Sequence, residues 1–275
     1  MSSNKCHICQ HGIDGFGHQL YGLFTTLILH TIKNYYFDGK TYCTKPFRFD
    51  HINIQEQEPV KQYLLEAISQ FTKDHNQKQI QYTNHIHSHE IYKIPIDFDS
   101  NTIYTIDNAY YFDRIQLTDT EKIKHQQNII LFKKYFINKY LPANRLHKKN
   151  IVVHIRLGDA LQYNEWNKNI QSFNAMIQTV LHTLHEKYPD YTIYIHSNGT
   201  IDFLDDIEYV FYDKKTSVLQ MLSDFIYSNI FVCGSSAFSK ISTFLGNQSL
   251  IIIPDNTKQS MPSKCIQISD YLDSN

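Results

Sequence analysis

An imidazole and a guanidinium stand two residues apart at the end of an apolar run, Ile151-Val152-Val153-His154-Ile155-Arg156-Leu157-Gly158-Asp159. Alternate side chains of a strand share a face, so His154 and Arg156 point the same way. The β-branched run suits a strand buried on both faces of a parallel sheet. Open α/β sheets take their ligands outside the carboxyl ends of the strands, where this run gives way to a Gly-Asp turn. An arginine there suits an anion such as a phosphate, which its planar fork grips in bidentate fashion. It equally suits a carboxylate that closes the strand end, and the run alone does not choose between the two. Arginine is scarce in this chain: Arg48, Arg114, Arg145 and Arg156 are the only ones.

Other stretches carry potential chemistry. Gly12-Ile13-Asp14-Gly15-Phe16-Gly17-His18-Gln19 reads as a glycine-rich loop between a strand and a helix, an arrangement that lets backbone N–H groups approach an anion. Three apolar runs end in small polar residues: Gly158-Asp159, Ser197-Asn198-Gly199 and Gly234-Ser235-Ser236. A parallel sheet edged with such turns builds a nucleotide or phosphate crevice. Neither a Walker P-loop nor a GxGxxG is present, which argues against a P-loop enzyme and an ordinary dinucleotide site. Cys6-His7-Ile8-Cys9-Gln10-His11 and His85-Ile86-His87-Ser88-His89 raise the question of metal. The first lacks a second ligand pair at zinc spacing, and the second reads as a solvated His-rich loop in a chain with 15 histidines. No metal site is expected.

The elements that must position these residues follow from periodicity. The N-terminal half reads as strands at 5–10, 40–44 and 101–106, with helices at 18–33, 58–73 and about 118–140. The last of these is opened by the capping box Thr118-Asp119-Thr120-Glu121 and stopped by Leu141-Pro142. The polar, basic segment from Pro142 to Asn150 is the expected junction. Beyond it, strands at 151–156, 192–196, 209–212, 230–233 and 250–254 alternate with helices at 168–187, 216–227 and 237–245, the last with Gly246 as C-cap. This alternation is the pattern of a right-handed parallel α/β domain.

At 275 residues the chain is long enough for one large domain or two small ones. A formal net charge of −1 gives no basic field for nucleic acid or a membrane surface. The five cysteines are odd in number and scattered, so no disulfide framework is expected. No leader-like apolar region and no run near the ~18 residues of a membrane span occurs, which leads to an expectation of a cytoplasmic protein.

The motifs together resemble those of the fucosyltransferase superfamily, most closely the α-1,2 class and more distantly the α-1,6 and protein O-fucosyltransferases. His154-x-Arg156-x-Gly158-Asp159 is similar to its HxRRGD-type motif. Gly15-Phe16-Gly17-His18-Gln19 is similar to its GxGNQ loop, and Ile193 to Asn198 to its strand ending in Ser/Thr-Asp-Asp. Val232-Cys233-Gly234-Ser235-Ser236-Ala237-Phe238-Ser239 resembles its SSFS motif. Leu157 stands where many members carry a second arginine, His18 where Asn is usual, and Asn198 where Asp is usual. Ala237 is inserted within the serine motif.

The resemblance implies a GT-B-like α/β fold, two Rossmann-like domains with parallel sheets facing a central cleft. Residues 1–145 would form the acceptor side and 146–275 the donor-binding domain. It implies a metal-independent, inverting glycosyltransferase that moves fucose from GDP-fucose to a hydroxyl of a glycan or glycoprotein. In this reading Arg156 meets the charge of the leaving diphosphate, helped by the N–H groups of Gly234 to Ala237 and by Ser235, Ser236 and Ser239. His154 shapes the nucleotide pocket, and Gly15, Gly17, His18 and Gln19 approach the donor from the other domain. Ser197, Asn198 and Phe238 belong to the same site, and Asp224 accepts from guanine. Asp159 and Glu165 are candidate bases for the acceptor proton, each also readable as an ordinary turn or helix-start residue. The departures at Leu157 and Asn198 leave open a noncatalytic nucleotide- or glycan-binding module.

Overall fold

The structure, a computed structural model, describes residues 7–10, 16–33, 36–37, 52–75, 84–88, 102–106, 118–157, 164–201, 204, 206–213, 215–234, 236–255 and 264–274. It divides into two compact units, Met1–Leu141 and Pro142–Asn275.

The first unit holds a parallel sheet of β1 (His7–Gln10), β2 (Tyr36–Phe37), β3 (Asn84–Ser88) and β4 (Thr102–Ile106), in the order β2-β1-β4-β3. Its helices are α1 (Phe16–Lys33), α2 (Ile54–Asp74) and α3 (Asp119–Phe136). The capping box forms as expected: the Thr118 hydroxyl accepts from Glu121 N, and Glu121 Oε2 accepts from Thr118 N at 2.9 Å. Burial of rings joins the helices. Phe24 of α1 meets Phe132 at 6.0 Å and Phe136 at 5.9 Å, and Phe71 of α2 meets Phe132 at 6.0 Å. Two expectations are corrected. Residues Phe16 to Gln19 belong to the first turn of α1 rather than to a loop, because Phe16 and Gln19 are buried at 3% and 1%. The histidine-rich segment is not a solvated loop at its backbone: His85–Ser88 pairs in parallel register with β4. The expected strand at 40–44 lies outside the described residues.

The second unit is a six-stranded parallel sheet in the order β10-β9-β8-β5-β6-β7. The strands are β5 (Asn150–Ile155), β6 (Thr192–Ser197), β7 (Val210–Tyr212), β8 (Ile230–Val232), β9 (Leu250–Ile253) and β10 (Cys265–Gln267). The helices are α4 (Asn164–Lys187), α5 (Val218–Tyr227), α6 (Ala237–Leu245) and α7 (Ile268–Asp273). Every residue of β5 is buried because both faces are covered. On one face Ile151, Val153 and Ile155 pack with Ile177, Val180, Leu181 and Leu184 of α4 and with Tyr271 of α7. On the other, Val152, Tyr194, Phe231 and Ile251 pack with Phe225 of α5. The terminal pair β10 and α7 was not anticipated from the sequence. Gly246 does end α6, but at φ −83°, so a left-handed cap is not its reason. A Cβ there would lie 2.0 Å from Gln248 Nε2, a group that bonds Phe225 O at 2.7 Å.

The chain enters this sheet in the middle. From β5 it runs outward through β6 and β7, then returns to the other side of β5 and runs outward through β8, β9 and β10. Strand order therefore reverses between β5 and β8. Helices pack on both faces of the sheet, and such a reversal is where open α/β sheets characteristically form a ligand crevice, at the carboxyl ends of the two strands.

Candidate functional site

Arg156 follows β5 at this crevice, and Gly234 to Ser236 follow β8. Gly234 is explained by the close approach of the two strand ends. A Cβ on it would lie 2.5 Å from the His154 carbonyl oxygen and 2.9 Å from His154 Nδ1, distances that real Cβ atoms do not adopt. Gly234→Ala must push β8 away from β5 or turn the imidazole. We expect a loss of about 1–3 kcal/mol, the usual range for overpacking, read as faster native-state hydrogen exchange in β5 and β8. Unchanged exchange would refute the close-approach explanation.

Behind the strand ends lies a buried polar chain. Ser236 caps α6: its Oγ accepts from Ser239 N at 3.1 Å and lies 3.0 Å from Ser239 Oγ. Ser239 Oγ in turn hydrogen-bonds His154 Nδ1. Ser239 is 0% exposed and His154 7%. The imidazole ring packs 5.2 Å from Phe225 and edge-on to Phe238 at 6.4 Å. Burial, followed by the charges of His196 and Arg156, pushes the His154 pKa down to about 3, so the ring is neutral at physiological pH. This narrows the expected roles of the two serines. Their hydroxyls are turned on each other and on His154, and the Ser236 amide donates to Gly234 O at 2.9 Å. They orient the imidazole and set the first turn of α6, whose N-terminal dipole faces the crevice edge.

A second cluster was only half foreseen. Asp224 on α5 is 0% exposed, and its carboxylate is met by Arg145, with Nη2 to Oδ2 at 2.7 Å and Nε to Oδ2 at 3.1 Å. Gln220 Nε2 adds a bond at 3.0 Å, and His196 Nε2 lies 3.2 Å from Oδ2. Burial works to raise this carboxyl, but the pull of His196, Arg145 and Gln220 outweighs it and holds the pKa below the ordinary value. The acceptor role expected for Asp224 toward a purine thus competes with three protein partners. His196 is itself 0% exposed, is stacked on Tyr212 at 4.9 Å, and has no well-aligned hydrogen-bond partner at either ring nitrogen. Burial is the largest influence and lowers its pKa, although Asp224 pulls the other way. The Arg145 guanidinium lies 4.0 Å from the Tyr212 ring centroid, which adds a cation–π contact to the ion pair. Sequence reading missed Arg145, His196 and Tyr212. The scarcity of arginine was the one signal that could have drawn attention to Arg145.

The turn after β6 reaches back to β5. Ser197 Oγ accepts from Gly199 N at 3.2 Å, and Asn198 Oδ1 accepts from Leu157 N at 2.9 Å. Leu157 is 6% exposed and belongs to the α4-side core, so the position where a second arginine was expected is a core position here.

The six-stranded unit therefore brings together His154, Gly234, Ser236, Phe238 and Ser239, with Arg156, Ser197 and Asn198 at the adjoining strand ends. Gly17, His18 and Gln19 lie in the first turn of α1 in the other unit. Gly15, Asp159 and Ser235 lie outside the described residues, and Glu165 is described in α4 by its backbone alone. The Cys233 and Cys265 thiols are buried and free, with burial as the main cause raising both pKa values, Cys265 to about 12. Among the described residues no group of three His, Cys, Asp or Glu is placed to hold a metal, and no helix is long and apolar enough to cross a membrane.

No family model matches the chain, and no curated protein sequence matches it. Among solved structures, it is similar to the crystal structure of POFUT1 in complex with GDP, at 12% identity and a TM-score of 0.45, over 90% of this chain and 97% of that one.

Proposed function

We propose that this protein is a metal-independent, inverting glycosyltransferase that takes its sugar from GDP-fucose or a related nucleotide sugar and delivers it to a hydroxyl of a glycan acceptor. The observation that carries the reading is the switch point between β5 and β8, with Arg156 on one side and the Ser236-capped start of α6 on the other. The acceptor oxygen attacks the anomeric carbon as the bond from that carbon to the diphosphate breaks. The electron pair leaves with the diphosphate, and the ring passes through oxocarbenium character. Arg156 and the α6 N-terminus supply preorganised positive potential where that charge develops, so no metal is required. His154, held neutral, contributes a ring beside the nucleotide without adding a second full charge. The acceptor proton passes to a carboxylate, for which Asp159 and Glu165 are the candidates. The two Rossmann-like halves of a GT-B enzyme, with the acceptor on residues 1–145, belong to the same proposal.

GDP is the direct test. A ligand held only by the folded state at about 100 times its Kd stabilises by about 2.7 kcal/mol, which raises Tm measurably. We expect that shift with and without EDTA, together with donor turnover, and we expect Arg156→Ala to remove both the shift and the turnover. A folded wild-type protein that shows no shift with GDP or its sugars would refute the reading. The core placement of Leu157, in the position after Arg156, favours a second reading, nucleotide binding without transfer. Arg156-dependent turnover rules that one out.

A further inference from the structure

We propose that Asn198 acts on the ligand only through Arg156, as the residue that positions it. The proposal rests on the nucleotide-sugar reading of the site. Strands β5 and β6 run parallel, and their last register pair is Ile155 with Ser197. Arg156 and Asn198 are therefore the first residues beyond the paired region of two neighbouring strands. Arg156 has a fixed neighbour on each side. Ile155 is the final residue of β5 and is fully buried. Leu157 is held twice, by its side chain in the core and by its amide, which donates to Asn198 Oδ1 at 2.9 Å. The Ser197 hydroxyl shapes the turn that carries Asn198, by accepting from Gly199 N. With both flanking residues anchored, the backbone torsions of Arg156 have little freedom, and the direction in which its side chain leaves the strand end is set before any ligand arrives. A backbone N–H in this position would otherwise turn to water and release the strand end.

A direct ligand contact by Asn198 predicts a different pattern from a positioning role, because the side chain has two halves. The clip uses the oxygen, whereas an anionic diphosphate would be met by the Nδ2 donor. Asn198→Asp keeps the oxygen and loses the donor; Asn198→Ala loses both. At about 0.15 M salt, where charges are screened beyond ~8 Å, we expect Asn198→Ala to bind GDP about tenfold to a hundredfold more weakly, the scale of loss that follows a small misplacement of a binding group. Asn198→Asp should bind GDP more tightly than Asn198→Ala when the two are compared at about 1 M salt, where the added charge is screened beyond ~3 Å, since its carboxylate still accepts from the Leu157 amide. The Leu157 amide, followed by NMR, should exchange at least about tenfold faster in Asn198→Ala and at the wild-type rate in Asn198→Asp. The proposal is overturned if Asn198→Ala binds GDP like wild type, if Asn198→Asp is as weak as Asn198→Ala at the higher salt, or if the Leu157 amide does not respond. A wild-type protein that binds no GDP overturns the nucleotide-sugar reading and this positioning role together, and the exchange arm still shows whether the clip exists.

Discussion

Arg145→Ala should lower the stability of the C-terminal unit more than any other single surface-accessible substitution, and the deficit should shrink as pH falls. The reason is what remains behind. Asp224 is 0% exposed, and Arg145 provides its closest charged contact, Nη2 to Oδ2 at 2.7 Å. Removing one member of a buried ion pair leaves an uncompensated charge and typically costs about 3–5 kcal/mol. Arg145 keeps 35% of its side chain in solvent, so the lower end of that range applies. Loss of the guanidinium over Tyr212 adds to the effect. Gln220 and His196 remain near the carboxylate, but Gln220 carries no charge and His196 is held neutral by burial. In the variant the burial that already works to raise the Asp224 pKa acts against weaker opposition, so the carboxyl titrates upward. His196, freed from the repulsion of Arg145, titrates upward as well. Either way the folded variant takes up a proton that the wild type does not, and its deficit relative to wild type must be larger at pH 8 than at pH 5.5. Because the chain has two compact units, the measurement should be native-state hydrogen exchange in β5 and β8 rather than a global unfolding midpoint. A difference below about 0.5 kcal/mol at pH 8, or a deficit that grows in acid, would show that Asp224 does not depend on Arg145; about 0.5 kcal/mol is the spread of ordinary surface substitutions.

The contrast between Asp224 and β5 shows which parts of this molecule are legible in the sequence. A strand covered on both faces announces itself through a continuous β-branched run, and residues 150–155 are buried throughout as that run requires. Local hydrogen-bonding devices are equally visible, because the partners are three residues apart: Thr118 with Glu121, and Ser236 with the Ser239 amide. What stays hidden is any partner that arrives from far along the chain. Asp224 reads as a carboxylate on a helix. Its guanidinium partner sits in a basic linker, and the imidazole beside it comes from a different strand, so the sequence suggests a ligand where the structure places two side chains. Leu157 fails in the opposite sense. Set beside the motif it looks like a missing cation, but the alternation of the strand carries it to the α4-side core, where an arginine would be buried without water. Very short elements are hidden for another reason: two residues of β2 and three of β10 are too few to show any period.

The second large effect is acid destabilisation of the same unit, which should begin above the carboxylate range. His154 and His196 neighbour each other in register on β5 and β6 and are both held neutral, chiefly by burial. In the unfolded chain each titrates near 6.5, whereas the folded-state pKa of His154 lies near 3 and that of His196 is lowered. Below pH 6.5 the unfolded state therefore binds protons that the folded state refuses. The stabilisation is fully present above that pH and is lost progressively as pH falls, down to about 3 for His154. Each histidine costs up to about 1.4 kcal/mol per pH unit across its window. Asp224 obeys the opposite rule: its folded pKa is lowered, so its contribution is intact above the ordinary carboxylate pKa and disappears only below it. Between pH 6.5 and 5 the slope of the C-terminal unit thus belongs to the imidazoles. The exchange free energy of β5 and β8, corrected for the intrinsic pH dependence of exchange, should fall across that interval with a slope approaching one proton from His154, to which the lowered pKa of His196 adds in the same direction. In His154→Gln the slope should drop by about one proton, whatever the variant loses in stability at neutral pH. A flat profile from pH 7 to 5 would mean that neither ring is held neutral in the folded protein, and the neutral imidazole assigned to the nucleotide side of the crevice would have to be abandoned.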